Sequence, residues 1–210
     1  MRDSKEELIK YWETTRIVKD KRILKAFGDV QREDFILDEY KDSVYGDYPL
    51  PIGYGQTISQ PSTIMMMTQA LEPELEDKVL EIGAGSGYQA ALLSKLCKKV
   101  YTIERLPELV DFAKSNLKKA GIKNVEVILG DGTLGYEKAA PYDKIIVTAA
   151  SPRIPKSLIE QLKEGGIIVI PVGPQFYCDM IKGKKIKGKL IKESMGGFSF
   201  VPLIGKEGYK

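Results

Sequence analysis

The chain contains no histidine in its 210 residues. That excludes Ser-His-Asp and Cys-His nucleophile pairs, histidine general bases and histidine metal ligands, so any chemistry runs without imidazole. Cysteine is almost as scarce. Cys97 and Cys178 stand alone, far apart and in no Cys-x-x-Cys pair, so no disulfide framework, zinc cluster or other metal site is expected, only two reduced, packed thiols. Asn116 and Asn124 are the only asparagines, and with plentiful Lys and Glu this composition fits a heat-adapted protein. Long apolar runs are missing too. Residues 145–150 and 167–171 fall far short of the roughly 20 that a membrane-spanning helix needs. The opening Met-Arg-Asp-Ser-Lys-Glu-Glu has no signal-peptide core, so a cytoplasmic location without membrane attachment is expected. Charge imbalance is slight, 32 basic against 29 acidic residues for a net +3. That is too little and too dispersed for a phosphate-binding stripe, and no nucleic-acid partner is expected.

What is present is an ordinary globular balance of 29% charged and 43% hydrophobic residues, enough for one domain with its own core. The expected layout over residues 1–210 is a helical cap and substrate loop (1–70), a cofactor-binding core (75–175) and a C-terminal hairpin with a last strand (176–210). Residues 4–28 carry Leu8, Ile9, Trp12, Ile23, Leu24 and Phe27 at helical spacing, which reads as one or two amphipathic helices stopping at Gly28. Residues 44–61 are punctuated by Gly and Pro too densely for regular structure, and a loop of that length is usually functional. From residue 78 short β-branched runs alternate with helical segments. Residues 79–82, 100–103, 125–129, 144–148 and 167–170 read as strands, and 89–98, 107–120 and 155–162 as helices. Such βα repeats predict an α/β, Rossmann-like, mostly parallel doubly wound sheet with a helical N-terminal layer. Residues 175–192 read as an antiparallel hairpin turning around Gly183 and Gly188, followed by a strand over 198–203. Its lysines are taken as a solvated, edge-protecting face, since no aromatic residues interleave to stack on bases.

The first strand of the repeat runs into Gly83-Ala84-Gly85-Ser86-Gly87 and then a helix. In that arrangement bare backbone lets a cofactor approach. A dinucleotide loop would read Gly-x-Gly-x-x-Gly, yet Tyr88 stands where its third glycine belongs. Glu81, just ahead of the loop, would repel a pyrophosphate but suits an ammonium or sulfonium cation. S-adenosyl-L-methionine carries both. Glu104, ending the second strand, is placed against ribose hydroxyls, and Asp131 in Gly130-Asp131-Gly132 against the adenine end. A glycine turn or a strand-end acid means little singly, but three strand ends bearing these groups in order point to an S-adenosylmethionine-dependent methyltransferase fold. The cofactor-binding candidates read from these strand ends are Glu81, Gly83, Gly85, Ser86, Gly87, Glu104, Asp131 and Gly132.

At this point the sequence resembles the protein-L-isoaspartate O-methyltransferases over nearly its whole length. The resemblance is carried by Val30-Gln31-Arg32-Glu33-Asp34-Phe35, the glycine loop, Gly130-Asp131-Gly132, Val147-Thr148-Ala149-Ala150 and Phe200-Val201-Pro202-Leu203. Most specific is Gly53-Tyr54-Gly55-Gln56-Thr57-Ile58-Ser59-Gln60-Pro61. It implies that the chain methylates the free α-carboxylate of L-isoaspartyl residues in damaged proteins and peptides, starting repair through a succinimide. It also implies that Ser59 is the catalytic residue beside the transferring methyl, that Thr57 and Ile58 close over cofactor and substrate, and that residues 201–203 frame a peptide groove. Ser62-Thr63-Ile64 and Ser199 depart from the family pattern, which bears on peripheral contacts.

The missing histidine fits that reaction. The methyl donor is already electrophilic and a carboxylate is ionised at neutral pH, so positioning suffices and a hydroxyl such as Ser59 can orient the carboxylate. The alternative is a nucleic-acid or small-molecule methyltransferase on the same fold. Amino-methylating enzymes commonly set Asn/Asp-Pro-Pro-aromatic after the fourth strand, where this chain reads Thr148-Ala149-Ala150-Ser151-Pro152. A non-catalytic relative that only binds isoaspartyl sites is a further alternative, against which the intact segment around Ser59 speaks.

Overall fold

A computed structural model describes residues 4–174 and 177–210. Ser4 caps helix α1 (Lys5–Thr15) by accepting a hydrogen bond from the Glu7 amide, and Asp20 caps α2 (Lys21–Asp29) in the same way from Arg22. Each satisfies an amide the helix itself cannot. Leu8 and Trp12 on α1 and Ile23, Leu24 and Phe27 on α2 are buried, and the Trp12 and Phe27 rings meet edge-to-face at 4.7 Å. The two helices are separate, and α2 runs through Gly28 to Asp29.

Residues 44–61 are more regular than their composition predicts. Strands β1 (Leu50–Gly53) and β2 (Gln56–Ile58) pair antiparallel around a two-residue turn, Tyr54-Gly55, with φ of 55° and 70°. Positive φ at both turn positions is what a tight hairpin requires. Buried Leu50, Ile52 and Ile58 pin this hairpin to the body. Helix α3 (Pro61–Leu71) follows directly, with Pro61 in its first turn, a start signal that the density of loop residues upstream obscured.

The central sheet has the order β5-β4-β3-β6-β7-β8-β9 among the described residues. Strands β3 (Lys78–Ile82), β4 (Lys99–Glu104), β5 (Val125–Leu129), β6 (Tyr142–Val147) and β7 (Leu162–Val172) run parallel. Between them lie α4 (Tyr88–Ser94), α5 (Pro107–Lys119) and α6 (Lys156–Gln161). Alternate strand residues serve opposite faces. Val79, Val100, Ile146 and Val169 join the core under α1 to α5, while Leu80, Ile103, Ile145 and Ile168 join a second core under α6. Burial on both faces explains why the strands read as continuous apolar runs.

The C-terminal hairpin is β8 (Cys178–Ile186) and β9 (Lys189–Phe198), antiparallel to β7 and to each other. The turn lies at Lys187 and Gly188, both at positive φ, whereas Gly183 sits within β8, paired to Ile168 and Lys192. Gln175, at the head of the expected hairpin, lies outside the described residues. The expected strand over 198–203 does not form. The chain leaves the sheet edge after Phe198 and crosses the carboxyl ends of the strands, tied to β6's continuation by Ala150 N–H to Val201 O (2.8 Å) and Leu203 N–H to Ala150 O (2.7 Å). Pro202, without an amide hydrogen, cannot extend a ladder at that point.

Candidate active site

Strand β3 lies between β4 and β6, and the chain winds away from it in opposite directions. This is the crevice at which open α/β sheets hold ligands. A cleft of about 850 Å³ opens at the carboxyl ends of β3, β4 and β6, lined by the glycine loop, Glu104, Gly132, Thr148 and the hairpin residues Gln56 to Ser59.

The loop is held from several sides. Gly83, Gly85 and Gly87 have φ of 97°, 52° and 89°, a region that residues with a Cβ rarely enter. A Cβ at Gly83 would also lie 2.5 Å from Thr148 Oγ1. The Thr148 hydroxyl is 2.9 Å from the Gly83 carbonyl and 3.0 Å from that of Ile82. Asn116 on α5 donates to the Ser86 carbonyl at 3.0 Å. The Glu104 carboxylate accepts from Gly85 N–H at 3.0 Å and from the amides of Arg105 and Leu106 at 2.8 and 3.1 Å. Glu104 therefore faces the cleft as expected, and it also sets the loop and the start of α5. Thr148 and Asn116 were missed by sequence reasoning, although a polar residue just after a β-branched strand and one of only two asparagines were available as signals.

Glu81 is wholly buried, yet neither carboxylate oxygen has a hydrogen-bond partner among the described residues. Burial pushes its pKa up to about 8; the Thr102 hydroxyl, nearby but outside hydrogen-bond geometry, opposes the rise and the neighbouring Glu104 charge adds to it. A carboxyl group so placed at the wall of a cleft is an incomplete site, suited to a ligand cation that supplies the missing charge.

Thr57, Ile58, Ser59, Glu81, Gly83, Gly85, Ser86, Glu104 and Gly132 all line the cleft, but Asp131 and Gly87 do not. Asp131, expected at the adenine end, has protein partners. Its carboxylate accepts from the Thr133 amide and hydroxyl and from the Lys206 amide at 2.9, 2.6 and 2.7 Å, tying the C-terminal segment down. Burial alone would raise its pKa, but these bonds hold it below the usual value. Gly87 precedes the first turn of α4, where a Cβ would press on Leu117 of α5 at 3.2 Å.

A second cleft, about 1480 Å³ and open to solvent, lies across the same rim between α3 and residues 197–202. Of the residues that depart from the family pattern, Ser62, Thr63 and Ser199 line it. The clefts share Thr57, Ser59, Thr148, Val201 and Pro202. Ser59 thus lies on the rim common to both clefts, with Thr57 and Thr148 as the other hydroxyl-bearing residues there. Behind it Arg32, wholly buried, donates to the Ser59 carbonyl at 2.9 Å.

Residues 3–208 match the family model described as protein-L-isoaspartate(D-aspartate) O-methyltransferase. A protein-L-isoaspartate O-methyltransferase of Methanoculleus marisnigri is 48% identical over 209 residues, covering 100% of this chain and 95% of that protein. A solved structure of the same name superposes with a TM-score of 0.89 at 30% identity, covering 98% of this chain and 67% of the other. A Plasmodium falciparum structure described as a protein-L-isoaspartate O-methyltransferase in complex with S-adenosyl-L-homocysteine shares the fold, with a TM-score of 0.83 at 24% identity and coverage of 97% and 99%.

Proposed function

The chain belongs to the protein-L-isoaspartate O-methyltransferase family, and on that premise we propose how its two clefts divide the work of methylating isoaspartyl carboxylates. The first cleft takes S-adenosyl-L-methionine, which supplies a methyl group on a positively charged sulfur. Glu81 receives the cationic part of the cofactor, and the bare backbone of Gly83, Gly85 and Ser86 accommodates close approach. Glu104 keeps one face toward the cleft for ribose hydroxyls, Gly132 lets a flat ring lie against backbone, and Thr57 and Ile58 cover the cofactor from the hairpin side.

The second cleft takes the damaged peptide. Ser59 at the junction donates one hydrogen bond to the isoaspartyl α-carboxylate, which orients it without quenching an oxygen as nucleophile. No residue has to remove a proton, because the carboxylate is already ionised at neutral pH. The chain's contribution is alignment and exclusion of water at the shared rim. The methyl ester then cyclises to a succinimide that opens partly to normal aspartate, so repair proceeds by repeated cycles.

The observation that carries this division is Ser59's place on both clefts. Unpaired, buried Cys97 and Cys178 accord with a reducing compartment, the cytoplasm. The test is methyl transfer to paired isoaspartyl and normal aspartyl peptides by the native chain and Ser59→Ala. Transfer to the isoaspartyl peptide alone is expected, with turnover at least about tenfold lower in the variant and cofactor affinity nearly unchanged. Equal turnover in the two proteins would remove Ser59 from the reaction.

A further inference from the structure

Arg32 opens a short 3-10 turn (Arg32–Phe35) behind the lining of both clefts, and its side chain is buried completely. Its Nε donates to the Val44 carbonyl and its Nη2 to the Ser59 carbonyl, each at 2.9 Å. The guanidinium lies over the ring of Tyr88, 5.0 Å from its centroid. Tyr88 begins α4 directly after the glycine loop and lines the cofactor cleft. One rigid planar group therefore touches the peptide-side serine through its backbone and the cofactor-side loop through its first helical residue.

The arrangement is costly. Among the described residues no carboxylate pairs with the guanidinium, and Nη1 has no hydrogen-bond partner. A buried cation loses solvation that two carbonyl oxygens, an aromatic face and the more distant Asp47 charge return only in part. An apolar side chain of similar volume would fill the space without that loss, but it could not fix the Ser59 carbonyl. A fork-shaped donor can hold two carbonyls at a set separation, which a single ammonium cannot.

We infer that Arg32 is a positioning residue for methyl transfer, setting the distance and angle of Ser59 relative to the cofactor loop. The inference rests on the assignment of Ser59 above. Its effect falls on alignment, so turnover should suffer where binding does not, and a displacement of about 1 Å at the reacting groups is worth about 100-fold in rate.

The experiment compares the native chain with Arg32→Met, Arg32→Lys and the packing variant Phe27→Leu, which loosens the helical layer without touching Ser59. Thermal midpoint, cofactor Kd, peptide KM and kcat with an isoaspartyl peptide are measured well below each midpoint. Arg32→Met is expected to lower kcat about 100-fold and Arg32→Lys about tenfold, both with cofactor Kd within about threefold, while Phe27→Leu lowers the midpoint with kcat retained. If Arg32→Met does not fold, Arg32→Lys decides by the same criteria. The inference is overturned if the folded Arg32 variants keep kcat within about twofold of native, or if Phe27→Leu loses as much kcat at an equal midpoint. Failure of the native chain to methylate the peptide would instead overturn the assignment of function.

Discussion

Glu81 has its two oxygens bare inside the cleft wall, and the sign of its pH dependence follows from that. Its folded-state pKa of about 8 stands above the ordinary 4.5, so between those values the folded chain binds more protons than the unfolded one. Stability without cofactor is therefore fully present below the lower value and falls as pH rises toward the higher. Each pH unit in that window is worth up to about 1.4 kcal/mol. Glu81→Gln removes the titration, so its thermal midpoint should gain on that of the native chain by at least about 3 °C between pH 5 and 8. Cofactor binding runs the other way, because a cation wants Glu81 ionised. Native affinity should weaken relative to the variant as pH falls below about 8, approaching tenfold per unit. Scanning calorimetry and titration calorimetry across that range read both effects. Parallel pH profiles for the two proteins would sink this account.

Among the elements, the decisive joints are between strand ends and the glycine loop. Thr148, just past β6, places its hydroxyl against the Gly83 carbonyl beyond β3, while its amide donates to the Ile82 carbonyl at 3.0 Å. Thr148→Val keeps shape and the amide bond but removes the hydroxyl. The expected loss is about 1 kcal/mol of stability, about 2–4 °C in thermal midpoint, together with weaker cofactor binding as the loop loosens. A melt that shifts with unchanged cofactor Kd would limit Thr148 to stability. The two asparagines are joints of the same kind. Asn116 holds the Ser86 carbonyl, and Asn124 holds the Ser94 and Cys97 carbonyls at the end of α4. Their scarcity read as heat adaptation, and their positions show that the pair kept are bonded to backbone.

For the molecule as a whole, the proposed peptide cleft carries no charged side chain among its described lining residues, and net charge is only +3. Substrates should then be selected by the isoaspartyl group and backbone more than by neighbouring charge. Isoaspartyl peptides flanked by Lys and by Glu should differ in kcat/KM by less than about threefold. Raising salt from about 50 to 300 mM should change either value little, since screening acts on charged contacts. A large preference for one sign in a steady-state assay would mean that charges beyond the cleft rim reach the substrate.

The order of βα units, the parallel sheet and the cofactor loop were legible in the sequence because each rests on local rules. β-branched runs, proline at helix starts and three closely spaced glycines act within a few residues. The hairpin over residues 50–58 was hidden because its anchors, Leu50, Ile52 and Ile58, are defined by burial against distant segments. Residues 198–203 read as a strand because their composition suits one, but whether a ladder partner lies alongside is a tertiary matter, and beyond Phe198 the chain crosses the strand ends instead. Asp131 reads as a ligand from its place after β5. Only the fold brings Lys206 within 2.7 Å to engage it. The same holds for Arg32, an unremarkable charge in sequence until folding removes it from water and sets it against Ser59. Local pattern determined the architecture and the class of cofactor. Long-range contact decided which polar groups are left unsatisfied at the cleft and which are tied down behind it.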